Sequence, residues 1–204
     1  MKPHIKQFFE FLKKKEGREI PLIVKVLSPR DFKISPEELH IKGDFDLTYT
    51  SVTLLPDNLT VEGNLILDET PIKELPNNLT VKGNLDMEFG KIKSLPDTLK
   101  VGGGLGLTGA LITSLPDNLT VESLFVNHTP IKSIPNNLTV RGELNLFRTP
   151  IESIPDNLKV EGVLDVRATP LGKKYTEEEV RSMIEKKGGY VKGELYSQRP
   201  RGFY

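Results

Sequence analysis

Apolar residues recur along most of this chain at fixed places within a unit of 20 residues. Each complete unit opens with Leu-Pro or Ile-Pro, and these pairs begin at positions 55, 75, 95, 115, 134 and 154. In the unit that begins at position 55, the apolar positions are Leu55, Leu59, Val61, Leu65, Leu67 and Ile72. The Leu-Thr-Val and Leu-x-Leu runs alternate between apolar and polar residues. This alternation predicts two short β-strands per unit, each with one face turned inward.

One internal unit and both ends of the array depart from this pattern. The unit from 115 to 133 has 19 residues, because Val121-Glu122-Ser123-Leu124 lacks one residue relative to Val61-Glu62-Gly63-Asn64-Leu65. A degenerate unit begins near Ile34, and the segment 191–195 repeats the pattern of 140–144. Because one unit cannot bury its own apolar face, stacked units must share a core. The sequence therefore predicts a mainly β fold, a β-solenoid of about seven to eight coils.

Three polar or small columns mark the corners of the predicted coils. The glycine column predicts a tight bend; its members are Gly63, Gly83, Gly103, Gly142 and Gly162. The asparagine column predicts side-chain amides that cap turn backbone; its members are Asn58, Asn78, Asn118, Asn137 and Asn157. The aspartates at Asp57 and its equivalents are interpreted as turn caps and not as calcium ligands, because the glycine-rich ligand pattern of calcium-binding repeats is absent.

Both ends of the array are expected to carry caps, which divide the chain into segments 1–30, 31–170 and 171–204. Ile5, Phe8, Phe9 and Leu12 have helical spacing and predict an amphipathic N-terminal capping helix, followed by a strand-like run over residues 20–27. Thr176 with Glu179 forms a capping-box pattern ahead of an apolar stripe and Gly188. The C-terminal segment is therefore predicted to hold a helix, a final strand pair and a tail.

Composition argues against catalysis and against a membrane. Lysine plus arginine number 28 and aspartate plus glutamate number 28, so the formal net charge is zero, and the chain has no cysteine. The three histidines, His4, His40 and His128, are far apart in the predicted coils. We predict no catalytic residue, no metal site and no cofactor. A protein partner is expected, with no membrane partner, and a nucleic acid or a small-molecule substrate is disfavoured. The missing apolar leader favours a cytoplasmic protein.

The stretch Leu144-x-Leu146-x-x-Thr149-x-Ile151-x-x-Ile154-Pro155 resembles the leucine-rich-repeat signature, with threonine where that family usually has asparagine. The Leu-Pro corner and the 20-residue period resemble the short leucine-rich repeats of bacterial effectors, and the Leu-Pro-Asp-Asn-Leu-Thr-Val form is similar to repeat proteins of tailed bacteriophages. The resemblance implies a non-enzymatic binding scaffold, encoded by a bacteriophage, that acts on a host protein in the host cytoplasm or belongs to the virion. Effector ubiquitin ligases with such repeats use a catalytic cysteine, which this chain lacks.

The outward positions of the Leu-x-Leu strands are the expected binding surface, since repeat proteins bind their partners through such a face. Aligning the coils places an aromatic and basic group toward the C-terminal side of this face, and an acidic group lies toward its N-terminal side. The predicted partner-binding residues are Phe89, Phe125, His128, Phe147, Arg148 and Arg167. Aromatic and arginine side chains are typical of interface hot spots.

Other interpretations of these residues stay open at the level of sequence. Phe125 and Phe147 could pack against a cap instead of a partner. The binding face could also be the opposite strand face or the C-terminal tail. The chain could be a structural virion component. It could also bind nucleic acid through Arg141, Arg148, Arg167 and the basic tail, in which case the affinity should fall steeply with salt.

Overall fold

The computed structural model describes residues 7, 14, 21–28, 31–117 and 119–198. Two-residue strands alternate along this part of the chain, and parallel pairing stacks them into one eight-stranded and two four-stranded sheets. The eight-stranded sheet contains β2 (Phe45–Asp46), β4 (Leu65–Ile66), β6 (Leu85–Asp86), β8 (Leu105–Gly106), β10 (Leu124–Phe125), β12 (Leu144–Asn145), β14 (Leu164–Asp165) and β16 (Leu195–Tyr196). One four-stranded sheet contains β1 (His40–Ile41), β3 (Thr60–Val61), β5 (Thr80–Val81) and β7 (Lys100–Val101). The other contains β9 (Thr120–Val121), β11 (Thr139–Val140), β13 (Lys159–Val160) and β15 (Tyr190–Val191).

A single apolar core runs along the axis of this solenoid. Equivalent residues of successive coils lie in register, so that Leu65 pairs with Leu85 and Leu85 with Leu105. These leucines are completely buried. Each coil therefore covers the apolar edge of its neighbour, as the 20-residue period predicted. The prediction of a β-solenoid with two strands per coil is confirmed.

A threonine column seals the turn that follows each Leu-x-Leu strand. The Thr149 hydroxyl donates a hydrogen bond of 2.6 Å to the Leu146 carbonyl three residues earlier. The same bond is made by Thr50, Thr70, Thr129 and Thr169. Because a buried hydroxyl without a partner is costly, this internal bond explains how threonine occupies the place where asparagine was expected from the repeat signature.

The aspartate and asparagine columns at the Leu-Pro corner join one coil to the next. The Asp57 carboxylate accepts the Asn77 backbone N–H at 2.8 Å, so it caps backbone of the next coil, whereas the prediction was a cap of its own turn. The asparagine column differs from its prediction, because the Asn78 amide donates to the Asn58 side chain at 2.9 Å and so forms a ladder between side chains. These asparagines also have positive φ near 60°, a backbone conformation that asparagine tolerates better than most residues. Asn118 lies outside the described residues.

The glycine column is explained by close stacking and not by a bend that needs positive φ. A Cβ atom added at Gly162 would lie 2.5 Å from the Gly142 carbonyl oxygen and 2.7 Å from its carbon. Neither residue has positive φ. The chain does bend at these glycines, as predicted, and glycine is required there because two backbones approach each other too closely for a side chain.

The N-terminal boundary of the array differs from its prediction. The strand-like run within 20–27 is wrong, because Leu22–Leu27 forms a short helix, α1, whose Val26 enters the core. Tertiary packing here outweighs the strand preference of the β-branched residues. Lys25 of α1 is buried and forms an ion pair of 2.5 Å with Glu38 in the 3-10 helix Pro36–Leu39. The predicted capping helix at Ile5, Phe8, Phe9 and Leu12 lies outside the described residues.

The C-terminal cap agrees with its prediction. Helix α2 (Pro170–Lys174) leads to helix α3 (Glu177–Lys186), which begins with a capping box between Thr176 and Glu179. Val180 and Ile184 of α3 are fully buried, and Gly188 follows with φ +80°. Val191 then pairs with Val160, and Leu195 pairs with Leu164. The chain thus completes a terminal coil in which a helix replaces one corner. No helix within the described ranges is long and apolar enough to cross a membrane.

Candidate protein-binding site

The outer face of the eight-stranded sheet carries three columns of side chains on every coil. The first column consists of the second residue of each strand, such as Asp86, and the second column consists of the residue two positions later, such as Glu88. The third comes from a turn residue with φ between 53° and 67°; this column comprises Tyr49, Glu69, Phe89, Gly109, His128, Arg148 and Ala168. Left-handed backbone in a residue other than glycine costs about 1 kcal/mol or more. The rigid stack of coils therefore holds these turn side chains in fixed positions.

Phe147 lies at the centre of a cluster of cationic and aromatic groups on this face. Its ring is half-buried and makes an edge contact with the exposed His128, with ring centroids 5.5 Å apart. The guanidinium carbon of Arg148 lies 5.3 Å from the ring centroid, and that of Arg167 lies 5.9 Å from it. Two cations beside one ring match the geometry of cation–π attraction. We call Phe147, His128, Arg148, Arg167 and Tyr196 the aromatic–cationic cluster.

Arg167 is fixed by contacts on two sides. Its Nη2 lies 2.7 Å from Oδ2 of the buried Asp165, and its Nε lies 3.0 Å from Oδ1 of the same carboxylate. The hydrogen bond and the charge of Asp165 raise the pKa of Arg167, so this side chain stays cationic. Its guanidinium carbon also lies 5.1 Å from the ring centroid of Tyr196 in the terminal coil. The cluster therefore extends over four successive coils, from His128 to Tyr196.

Two of the six predicted residues, Phe125 and Phe89, lie outside this cluster. The half-buried Phe125 pairs along the sheet with Gly106 on one side and Asn145 on the other. Phe89 is 61% exposed, and its ring covers Gly109, where an added Cβ would lie 2.6 Å from the ring. Phe125 and Phe147 lie on adjacent coils of the outer face, as the alignment predicted, and each ring is half-buried because the neighbouring coils cover part of it. Arg148 and Arg167 are exposed.

The chain matches no family model and no curated protein.

Among the described residues, no group of three histidine, cysteine, aspartate or glutamate side chains is placed to hold a metal ion. The side chains gathered around Phe147 are instead suited to contact a flat or anionic group of a partner.

The opposite end of the same face is acidic. Asp68, Asp86 and Glu88 lie on adjacent coils, and Oδ1 of Asp68 accepts the backbone N–H of Glu88 at 2.7 Å. Burial, and then the negative charges of Asp68 and Glu88, raise the pKa of Asp86 above its ordinary value of 3.8. The face is thus bipolar, with carboxylates toward the N-terminus and cations toward the C-terminus.

Replacing Asp86 by asparagine is expected to stabilise the protein slightly, by less than about 1 kcal/mol, since the site is only partly buried. A carboxyl whose pKa is raised by folding destabilises the fold while it is ionised. The gain should therefore be complete at neutral pH and disappear as the pH falls through the raised pKa toward 3.8. Thermal unfolding of both proteins between pH 3 and pH 7 measures it. Asp57→Asn is the matched control, because asparagine already occupies that column at Asn77 and Asn136. If the stability gained by Asp86→Asn persists at pH 3, the raised pKa of Asp86 is not its cause.

Sequence reasoning missed one aromatic residue on this face, Tyr196, and placed another, Tyr49, in the third column without assigning it to the site. Tyr196 follows Leu195 in the terminal coil and occupies the same sheet position as Asp165. The repeat of 140–144 at 191–195 already carried this signal, because extending the alignment by one residue places Tyr196 on the outer face. Tyr49 is 75% exposed at the acidic end, where hydrogen bonding and the charge of Glu69 raise the pKa of its hydroxyl.

Proposed function

We propose that this protein is a non-enzymatic repeat scaffold that binds another protein through the aromatic–cationic cluster. The observation that carries the proposal is the half-buried Phe147 ring with two guanidinium groups 5.3 and 5.9 Å from its centroid. Aromatic rings and arginines contribute strongly to protein interfaces, because both bury much surface while they keep directional contacts. Phe125, on the preceding coil, and Phe89 extend the apolar part of the surface toward the N-terminal side.

The chemistry of the cluster suggests which part of the partner binds there. Arg148 is exposed and lies beside Phe147, so a carboxylate and an aromatic or aliphatic side chain can be bound together. Arg167 is already paired with Asp165 at 2.7 Å, so it offers less free charge than an unpaired arginine. This pairing and the acidic end of the same face favour a protein partner over the phosphate backbone of a nucleic acid.

The likeness to bacterial and bacteriophage leucine-rich repeats supports a finer proposal. In it, the chain is encoded by a bacteriophage and binds a host protein in the host cytoplasm. The alternative is a structural component of the virion. Recovery of the chain from purified particles distinguishes the virion role, whereas a host-directed binder should co-purify with one host protein in a fixed ratio.

The Phe147→Ala variant tests the site. It is expected to weaken binding of the co-purified protein by about 1 to 3 kcal/mol, roughly fivefold to more than a hundredfold. Because the ring lies outside the core, stability should fall by no more than about 1 kcal/mol. Titration calorimetry and thermal unfolding measure the two quantities.

Variants at the acidic end supply the control for Phe147→Ala. Asp68→Ala and Glu88→Ala lie on the same face several coils away and should leave the affinity nearly unchanged. Binding that survives the loss of Phe147 but fails in these variants would move the site to the N-terminal coils. An affinity for nucleic acid that falls steeply with salt concentration would support the nucleic-acid alternative instead.

A further inference from the structure

The odd-numbered strands, β1 to β15, lie beside the Leu-Pro corners, and we call them the corner strands. Their parallel pairing along the solenoid is interrupted at one place. Strands β1, β3, β5 and β7 form one sheet and β9, β11, β13 and β15 form another, but no pairing joins β7 to β9 among the described strands. On the other side of the same two coils, β8 and β10 pair normally. The coils are therefore joined along the eight-stranded sheet and separated at the corner strands.

The missing residue of the 19-residue coil explains this gap. In regular coils the residue after the corner strand donates its N–H to the valine carbonyl of the preceding coil, as Lys82 does to Val61 at 2.9 Å and Arg141 to Val121 at 3.2 Å. Glu122 instead donates to the Gly103 carbonyl at 3.0 Å. Because the chain is one residue short there, Glu122 lies opposite Gly103 and not opposite Val101. The Val101 carbonyl therefore lacks the N–H donor that it would have in a regular coil.

The bond one step earlier is also missing. Thr80 donates its N–H to the Leu59 carbonyl at 2.9 Å, and Thr139 donates to the Leu119 carbonyl at 3.1 Å. The equivalent bond would run from Thr120 to the Leu99 carbonyl, and it is not formed in the part of the chain that the structure describes. The edge of β7 therefore presents two carbonyl acceptors, those of Leu99 and Val101, without the donors that every regular coil supplies.

A cavity of about 490 Å³ opens at this gap. Leu99 and Leu119 line it and are 9% and 8% exposed, whereas the equivalent Leu79 and Leu138 are completely buried. An added Cβ at Gly102 would lie 2.3 Å from the Lys82 carbonyl oxygen, so the coil that carries β7 stacks tightly on the coil before it. The free backbone edge of β7 therefore lies only on the side that faces β9, although the cavity also reaches Thr80, Val81 and Lys82 of the coil before β7.

We propose that this gap is a second binding site, which accepts an extended peptide segment with apolar residues at alternate positions. The array itself shows what fits the edge of β7, because every regular coil places a Leu-x-Val segment there in parallel register. Such a segment donates two backbone N–H groups to the carbonyls of Leu99 and Val101 and turns its apolar side chains toward Leu99 and Leu119. Addition of a strand to an exposed sheet edge is an established mode of peptide recognition.

Charge contributes little to this recognition. The rim of the cavity carries Lys82 and Lys100 as well as Asp97 and Asp117, so cations and carboxylates balance. Lys82 is also paired with Glu62 at 2.6 Å. Backbone hydrogen bonds and the apolar side chains therefore select the ligand, and the site is independent of the aromatic–cationic cluster.

A synthetic peptide with the sequence of residues 136–142, Asn-Asn-Leu-Thr-Val-Arg-Gly, is the probe. A fluorescein label on the peptide allows binding to the full chain to be followed by fluorescence anisotropy. The matched control is the same peptide N-methylated at its threonine and arginine, which removes the two donors that face Leu99 and Val101. We expect the methylated peptide to bind at least tenfold more weakly. No binding at millimolar peptide, or equal binding of both peptides, would overturn the proposal.

Insertion of one asparagine between Ser123 and Leu124 restores the 20-residue coil and should close the gap. The Thr120 amide is expected to exchange with deuterium faster than those of Thr80 and Thr139 in the natural chain, and more slowly after the insertion. Peptide affinity should then fall at least tenfold, whereas Phe147→Ala should leave it unchanged. Undiminished binding in an insertion variant whose Thr120 amide has become protected would refute the site. If that amide stays unprotected, the comparison of the two peptides decides.

Discussion

Replacement of Gly162 by alanine is expected to destabilise the protein by about 3 kcal/mol, at the upper end of the range for overpacking. The new methyl group would lie 2.5 Å from the Gly142 carbonyl oxygen. That oxygen belongs to the backbone of the preceding coil, so it cannot move aside as a flexible side chain does. To relieve the contact, the two coils must separate, and the bond of 3.2 Å from the Gly162 N–H to the Gly142 carbonyl must lengthen. Chemical denaturation measures the loss.

Gly43 provides the matched control because it begins the same column. An added Cβ at Gly43 meets nothing within 4 Å, and its φ is not positive. Gly43→Ala is therefore expected to be neutral or slightly stabilising, by less than about 1 kcal/mol, through the lower entropy of the unfolded chain. Equal effects at Gly43 and Gly162 would show that the column is required for backbone flexibility and not for close stacking.

Truncation of the chain after Thr169 is expected to abolish the soluble monomer. The cut removes helices α2 and α3 and the terminal coil, so the edges of β13 and β14 lose their partners β15 and β16. It also exposes the apolar side chains that Val180 and Ile184 cover in the intact protein. Unpaired parallel strands beside an open apolar core pair with other chains. Size-exclusion chromatography with light scattering should show large assemblies or insoluble protein.

Point variants separate the loss of the cap from the loss of chain length. Ile184→Ala removes buried contacts and should cost about 2 to 5 kcal/mol, whereas Glu185→Ala on the exposed side of the same helix should cost less than about 0.5 kcal/mol. A truncated chain that remains a soluble monomer would show that the terminal coil is not required as a cap. The same reasoning predicts aggregation when residues 1–30 are removed, and that stays a prediction.

The repeat pattern was sufficient to predict the fold because each column has the same surroundings in every coil. Once Leu65, Leu85 and Leu105 are aligned in the sequence, parallel stacking in register follows from the need to bury them. The C-terminal cap was also predictable, since the capping box at Thr176 and Glu179 and the return of the coil pattern at Val191 are local signals. The strand-like run before the array could not be assigned correctly, because its helix is stabilised by contacts with the first coil.

The candidate site was predictable only in part. Alignment of the coils placed Phe147, His128, Arg148 and Arg167 on one face, and the structure brings these four together. The alignment did not show that Phe125 lies apart from them, that Asp165 fixes Arg167, or that Tyr196 completes the cluster. Those features depend on side-chain directions and on contacts between coils, which a column assignment does not contain.

The sequence by itself determined the period, the inward and outward columns, the position of the short coil and the type of residue at every corner. Only the tertiary structure decided how each column is used. It showed that the glycines permit contact between backbones, that the asparagines bond to one another, and that one absent residue divides the corner strands into two sheets. The physical reason is that a column of identical residues shows which positions are equivalent in successive coils. The distances between neighbouring coils decide which hydrogen bonds those residues form. The interruption between β7 and β9 arises from such a distance, although the deletion that causes it is visible in the chain.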